Sequence, residues 1–454
     1  MPELFVKDKE FYKTVLKIAV PVVLQSIITI AVNMTDTVML GIYGETQISA
    51  SSQANELINL FQILCFGVGG GAAVLTAQYW GSKDIPSLKK VISIMLWIIL
   101  SISVFFTAAA AFIPDLIMSI YSPEPLIIEK GVLYLRMSAA TFPLIGLTLT
   151  LTIVMRTVHM VRLPLVATIM AFVGNIFGNW VFIYGNLGAP EMQIQGAALS
   201  TLLVRIAETC LVGGYFLFVD KRIGYRIRDF ITKVSKYQVS IYIRYSVPVI
   251  VSDFFMAFGN TALSIIMGHI GSGFVAANAI IVQVVRLATV FNQGLSNASG
   301  IITGNTVGAG QKDKAYRQGI TFLFLAIGMG IVAGGITLLV TPSVINLSIF
   351  NITDETRVLA LEIMYGVVMM MLFQTVESVM TKGVLRGGGD TRFLMVADVL
   401  FLWIASIPLG YLAGLVFHVP AMWIYAALKI DWVIKSVWCV FRLRSKKWIQ
   451  AAGR

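Results

Sequence analysis

Asp36 is a lone carboxylate inside an otherwise apolar stretch from Pro21 to Gly44, PVVLQSIITIAVNMTDTVMLGIYG. Ser26, Thr29, Asn33 and Asp36 follow one another at intervals of three, four and three residues, so a helix carries them on one face. An aspartate turned to hydrocarbon costs about 2.5–3.5 kcal/mol, so this stripe must face protein or a water-filled cavity. A carboxylate that can be neutral or charged in such a place suits coupling to a proton or a sodium ion, and Asp36 would be a metal ligand only in the sodium case. The bland alternative is a structural acid hydrogen-bonded to neighbouring helices. Asn175 and Asn179, four residues apart, share a second helical face, and Thr201 follows the small-residue string GAALS. Two carboxamides and a hydroxyl have the oxygens to surround the Asp36 carboxylate or to ligate a cation, although membrane asparagines also simply tie helices together.

Further charges lie within apolar runs. Arg205 and Glu208 are spaced to pair on one helix. Asp253, Glu377, Arg286 and Asp398, together with Lys429 and Asp431, either line a cleft that attracts charged substrate or are neutralised by neighbours.

The elements that must position these residues are membrane spans. Hydrophobic residues make up 57% of the 454 and charged ones 13%, where a soluble domain carries about 25% charge. Many runs reach the roughly 20 apolar residues that cross a bilayer. Hydropathy predicts an all-α integral membrane protein with twelve transmembrane helices, the last near 419–441. The first run is too long for the apolar core of a cleavable signal and should remain as a span. Most of the 34 lysines and arginines fall in alternate connections. The positive-inside rule then places both termini in the cytoplasm and explains the net charge of +11 without nucleic acid. Three cysteines inside apolar runs, and three histidines far apart in sequence, argue against a disulfide framework and a histidine metal site.

The chain also repeats itself. PVIVSDFFMAFGNTALSIIMGHIG, from Pro248 to Gly271, aligns with the Asp36 stretch, pairing Pro21 with Pro248, Asn33 with Asn260 and Gly44 with Gly271. Thr76 then meets Thr303 and Gly81 meets Gly308, but Asp36 meets Leu263. MRTVHMVR at 155–162 likewise aligns with LRGGGDTR at 385–392. Two parallel, pseudo-symmetric six-helix lobes follow: residues 1–219, a basic cytoplasmic linker at 220–239, and residues 240–454 with a basic tail. Parallel repeats of this kind belong to transporters more often than to enzymes.

At these residues the sequence resembles the multidrug and toxic compound extrusion (MATE) family, in its NorM- and DinF-like bacterial members. The matching pieces are the first-helix pattern through Asn33, Asp36, Thr37, Gly41 and Gly44, the Asn175–Asn179–Ile183–Gly185 series, and the string GVLRGGGDTR from Gly383 to Arg392. The resemblance implies a two-lobed exporter of the cell membrane that expels organic cations or amphipathic drugs in exchange for H⁺ or Na⁺. It also implies that Asp36 takes up the coupling cation, with Asn175, Asn179 and Thr201 as its partners. Lobe acids that some members carry align near Met256 and Thr375 here, beside Asp253 and Glu377. No cofactor beyond the coupling ion, no nucleic-acid partner and a monomeric state are expected. The rival is a lipid-linked oligosaccharide flippase of the same superfamily, for which the scarcity of basic residues outside the connections counts against a pyrophosphate cleft. An intramembrane enzyme ranks lower, since neither a metal constellation nor a nucleophile motif is present in the sequence.

Overall fold

A computed structural model describes residues 5–345 and 353–452, and every described element is helical. In chain order these are α1 (Lys9–Gly41), α2 (Glu45–Gly81), α3 (Ile85–Phe112), α4 (Pro114–Tyr121), α5 (Pro125–Ser138), α6 (Thr141–Thr157), α7 (Arg162–Phe182) and α8 (Ile194–Gly214). They are followed by α9 (Ile227–Ile231), α10 (Lys236–Ile270), α11 (Ser272–Gly308), α12 (Lys312–Ile345), α13 (Asp354–Ser378), α14 (Thr391–Phe401), α15 (Ile407–Tyr411), α16 (Ala421–Leu428) and α17 (Ile430–Arg444). Among the described residues ten helical stretches are long and apolar enough to cross a membrane, one of them (Thr391–Val416) made of α14, α15 and the wider helical turns that continue them. They become eleven when α5 and α6, bent by 57° at their junction, are taken as one span.

The twelfth expected span, near 419–441, is broken at Lys429 into α16 and α17. The physical cause is the charge it carries. Asp431 turns its backbone N–H to the Ser406 hydroxyl, 3.0 Å away, and buries its carboxylate against Lys435.

Two compact units result, and the chain passes between them more than once. One holds Leu24–Thr76 and Asp84–Ser246. Its core contains Phe61, Phe106 and Phe142, with ring centroids 5.2–5.7 Å apart. In the same unit α7 and α8 meet closely because position 178 is glycine: a Cβ there would lie 2.3 Å from the Ser200 hydroxyl. That approach fixes the helix carrying Asn175 and Asn179.

The other unit holds Met1–Val23, Ala77–Lys83 and Val247–Arg454. In it the end of α2 crosses the end of α11 backbone to backbone. A Cβ on Gly81 would fall 1.9 Å from the Asn305 carbonyl oxygen, and one on Gly308 would fall 1.9 Å from that of Gln78. Gly81 and Gly308 are repeat mates, and so are Gln78 and Asn305, so the crossing joins equivalent positions of the two sequence repeats. The GVLRGGGDTR string packs by the same means, with Gly387 against the backbone of Gly300 and Gly388 against the fully buried Trp448 ring.

Candidate acid–amide site

Asp36 lies on α1 and is half-buried, while Asn175 and Asn179 on α7 are buried. The Asn179 side-chain amide donates to Asp36 Oδ1 at 2.5 Å and to Asn175 Oδ1 at 3.3 Å. The spacing of the asparagines explains this: positions four apart stack on one helix face, so one amide bridges the other and the acid opposite. Asn179 Oδ1 is buried and has no hydrogen-bond donor among the described residues. The C-terminal ends of the same helices are clamped by two tyrosines. Tyr184 donates to the Met39 carbonyl at 3.0 Å, Tyr43 donates to the Ile183 carbonyl at 3.2 Å, and the two rings stack.

Thr201 is half-buried on α8 but makes no hydrogen bond to Asp36, Asn175 or Asn179 among the described residues. The hydroxyl that reaches α7 is that of its neighbour Ser200, which donates to the Asn175 carbonyl at 3.2 Å. At the other end of the α1 stripe Thr29 donates to the Gln25 carbonyl, and the Gln25 side-chain oxygen accepts from Arg156. Arg205 and Glu208 pair at 2.6 Å.

The remaining candidates are scattered through the other unit. Asp253 is 3.7 Å from Arg386 of the GVLRGGGDTR string. Arg286 is exposed and forms no ion pair among the described residues. Asp398 and Asp431 flank Lys435 at 3.4 and 2.9 Å, and the lysine is wholly shielded from solvent. Ser252 donates to Asp398 at 2.6 Å and Ser406 donates to Asp431 at 2.8 Å. Glu377, also buried, accepts from Thr381 at 3.0 Å and interacts electrostatically with Lys435.

Lys435 was not among the sequence candidates. Its spacing from Asp431, four residues on one helix, was the available signal, but nothing in the sequence places Asp398 beside it. The Asp390 of the GVLRGGGDTR string is likewise tied by both its oxygens to Arg442, at 2.6 and 3.1 Å. Gln450 of the tail also donates to it, so this part of the string seats the C-terminal tail.

Long apolar helices, sequence-related halves and a shielded acid held by amides define a multi-pass membrane transporter. The MatE family model matches residues 21–181 and 248–412, and the chain belongs to that family, the MATE transporters. It is 26% identical over 429 residues to a probable multidrug resistance protein NorM of Mesorhizobium japonicum, covering 91% of this chain and 89% of that protein. It is 20% identical over 448 residues to the uncharacterized transporter YisQ of Bacillus subtilis, covering 98% and 96%. The fold matches an outward-facing multidrug resistance MATE transporter of the MOP superfamily with a TM-score of 0.86 at 17% identity, over 98% of this chain and 99% of that one.

Proposed function

We propose that this protein is a cation-coupled antiporter of the cell membrane that exports organic cations or amphipathic drugs by alternating access. The observation that carries the reading is the bond between Asp36 and Asn179, beside a buried amide oxygen that has no donor among the described residues. With Asp36 ionised, the Asn179 amide donates to it. With Asp36 protonated, the acid becomes a donor, and rotation of the amide offers it the idle oxygen as acceptor. Sodium instead would draw on the same carboxylate and amide oxygens. Either ion exchanges one hydrogen-bonded arrangement of α1 against α7 for another, which is what coupling to a conformational change needs.

The multidrug resistance proteins among the relatives support drugs as the cargo. One charge entering down 100 mV releases about 2.3 kcal/mol. That supports a roughly 40-fold gradient of a neutral drug at 1.4 kcal/mol per decade. The basic connections support cytoplasmic termini, and the chain acts as a monomer in this scheme.

The test is substrate-driven ion flux in proteoliposomes with H⁺ and Na⁺ gradients imposed separately. Asp36→Asn should reduce coupled export to the level of empty vesicles while the protein still inserts and folds. Unchanged export by that variant would refute the mechanism.

A further inference from the structure

The connection at 220–239 is folded, not slack. Asp220 accepts from the backbone N–H groups of Arg222, Ile223 and Gly224, closing the turn that follows the Ile194–Val219 span. The short helix α9 then lies on α3. Lys89 donates to the Gly224 carbonyl at 2.6 Å and to Asp229 at 2.9 Å. Ser93 contacts the Tyr225 hydroxyl at 2.9 Å, and Trp97 stacks on Phe230 at 4.8 Å.

This anchoring consumes the inner face and leaves the outer one bare. Lys221, Arg222, Arg228, Lys233 and Lys236 are exposed and form no ion pair among the described residues. Beside them stand Phe218, Ile227, Ile231 and Tyr237, each more than half exposed, from 57% at Ile227 to 73% at Ile231. Exposed isoleucines next to unpaired cations on a segment that continues directly from a membrane span make an amphipathic surface at bilayer-interface height. A water-facing connection has no use for bare isoleucines, and a topology signal has no use for a fixed fold.

We propose that the 218–237 segment is a prefolded shelf that binds the anionic headgroups of the adjacent leaflet, with Ile227 and Ile231 dipping into the acyl boundary. Charge complementarity selects anionic lipid: each unpaired basic residue adds attraction to such a surface and none to a zwitterionic one. Because the shelf is already held on α3, binding orders little new chain.

The experiment is amide hydrogen exchange of the full-length protein in nanodiscs of phosphatidylcholine alone or mixed with phosphatidylglycerol. Residues 221–237 should exchange about tenfold more slowly in the mixed bilayer. A variant with Lys221, Arg222, Arg228, Lys233 and Lys236 all changed to Gln should lose that difference while keeping its helicity and the Lys89–Asp229 pair. An Ile227→Ser, Ile231→Ser variant, with its charges intact, should lose part of it. Equal exchange in both bilayers would overturn the proposal, as would protection that survives in either variant in full. Protection conferred by inorganic phosphate in phosphatidylcholine discs, or only by added cytosolic protein, would assign the surface to another partner and likewise overturn it.

Discussion

Two acid sites, a half-buried one in one compact unit and a buried one in the other, are built on opposite electrostatic plans. Asp36 is answered by neutral amides: Asn179 donates to it and Asn175 orients Asn179. Asp398 and Asp431 are answered by a built-in ammonium, Lys435, within 3.4 Å of both. An amide lowers the cost of a charge without cancelling it, so the first site retains room for an exchangeable cation. A tethered ammonium already supplies the counter-charge, and removing it from a dry interior is expensive. The contrast teaches that acids in one protein need not share a role: an acid answered by amides alone fits the coupling site proposed above, and acids answered by a tethered ammonium fit a structural staple.

The comparison can be broken most directly by exchanging effects. If it is right, Asp36→Asn abolishes coupled export and leaves thermal stability in detergent near wild type, as flux and melting measurements on the same preparation would reveal. Lys435→Met should do the reverse. It leaves two carboxylates buried and unpaired, with a cost of about 3–5 kcal/mol. Adding Asp398→Asn and Asp431→Asn should restore much of the melting temperature. Failure of that rescue would show that the lysine does more than balance charge.

The repeat mates Gly81 and Gly308 come next, because they test whether the two sequence repeats are joined by backbone contact. Gly81→Val must push apart atoms only 1.9 Å from its new Cβ, costing about 3 kcal/mol by overpacking. A stability loss in denaturant titration no greater than that of a surface mutation would refute the crossing.

Asn179→Ala removes one hydrogen bond to a charged group, worth about 1.5–3 kcal/mol. It should change coupling-ion affinity about tenfold or more, tightening it for H⁺, because the ionised acid loses a donor, and weakening it for Na⁺, because an amide oxygen is lost; either is seen as a shift in the pH or Na⁺ concentration giving half-maximal export. The same substitution at Thr201 should do far less, since Thr201 makes no bond to the acid.

The smallest effect belongs to the linker. Burial alone would raise the Asp229 carboxyl, but Lys89 and the Arg226 N–H outweigh it and hold the group below the ordinary aspartate range. A group lowered on folding stabilises the docked linker above its unfolded value and loses that contribution as pH falls through the folded one. With both side chains about a quarter exposed, the contribution is under about 1 kcal/mol. Relative to the intrinsic rate at each pH, hydrogen exchange of 221–231 should therefore speed up only modestly below about pH 4, and still less in Lys89→Gln, where only the Arg226 N–H continues to hold the carboxylate.

Much of this was legible in the chain. Apolar run length fixed the spans, since every backbone polar group in lipid must be satisfied within its own helix. Spacing by four predicted the Asn175–Asn179 pair and spacing by three the Arg205–Glu208 pair. The broken final helix was less legible, because its charges are paid for by Ser406 and Asp398 from elsewhere in the sequence.

The sequence by itself determined that this is a helical membrane protein with related halves, in which Asp36 has no acidic repeat mate, because helix periodicity and hydrophobic length are local properties. Tertiary structure alone decided which acids have a fixed counter-charge and which helix ends touch through glycine. It also decided that Ser200, not Thr201, reaches α7. Those outcomes depend on side chains from distant segments meeting at a few ångströms, where a shift of one residue around a helix turns a polar group from its partner toward another face.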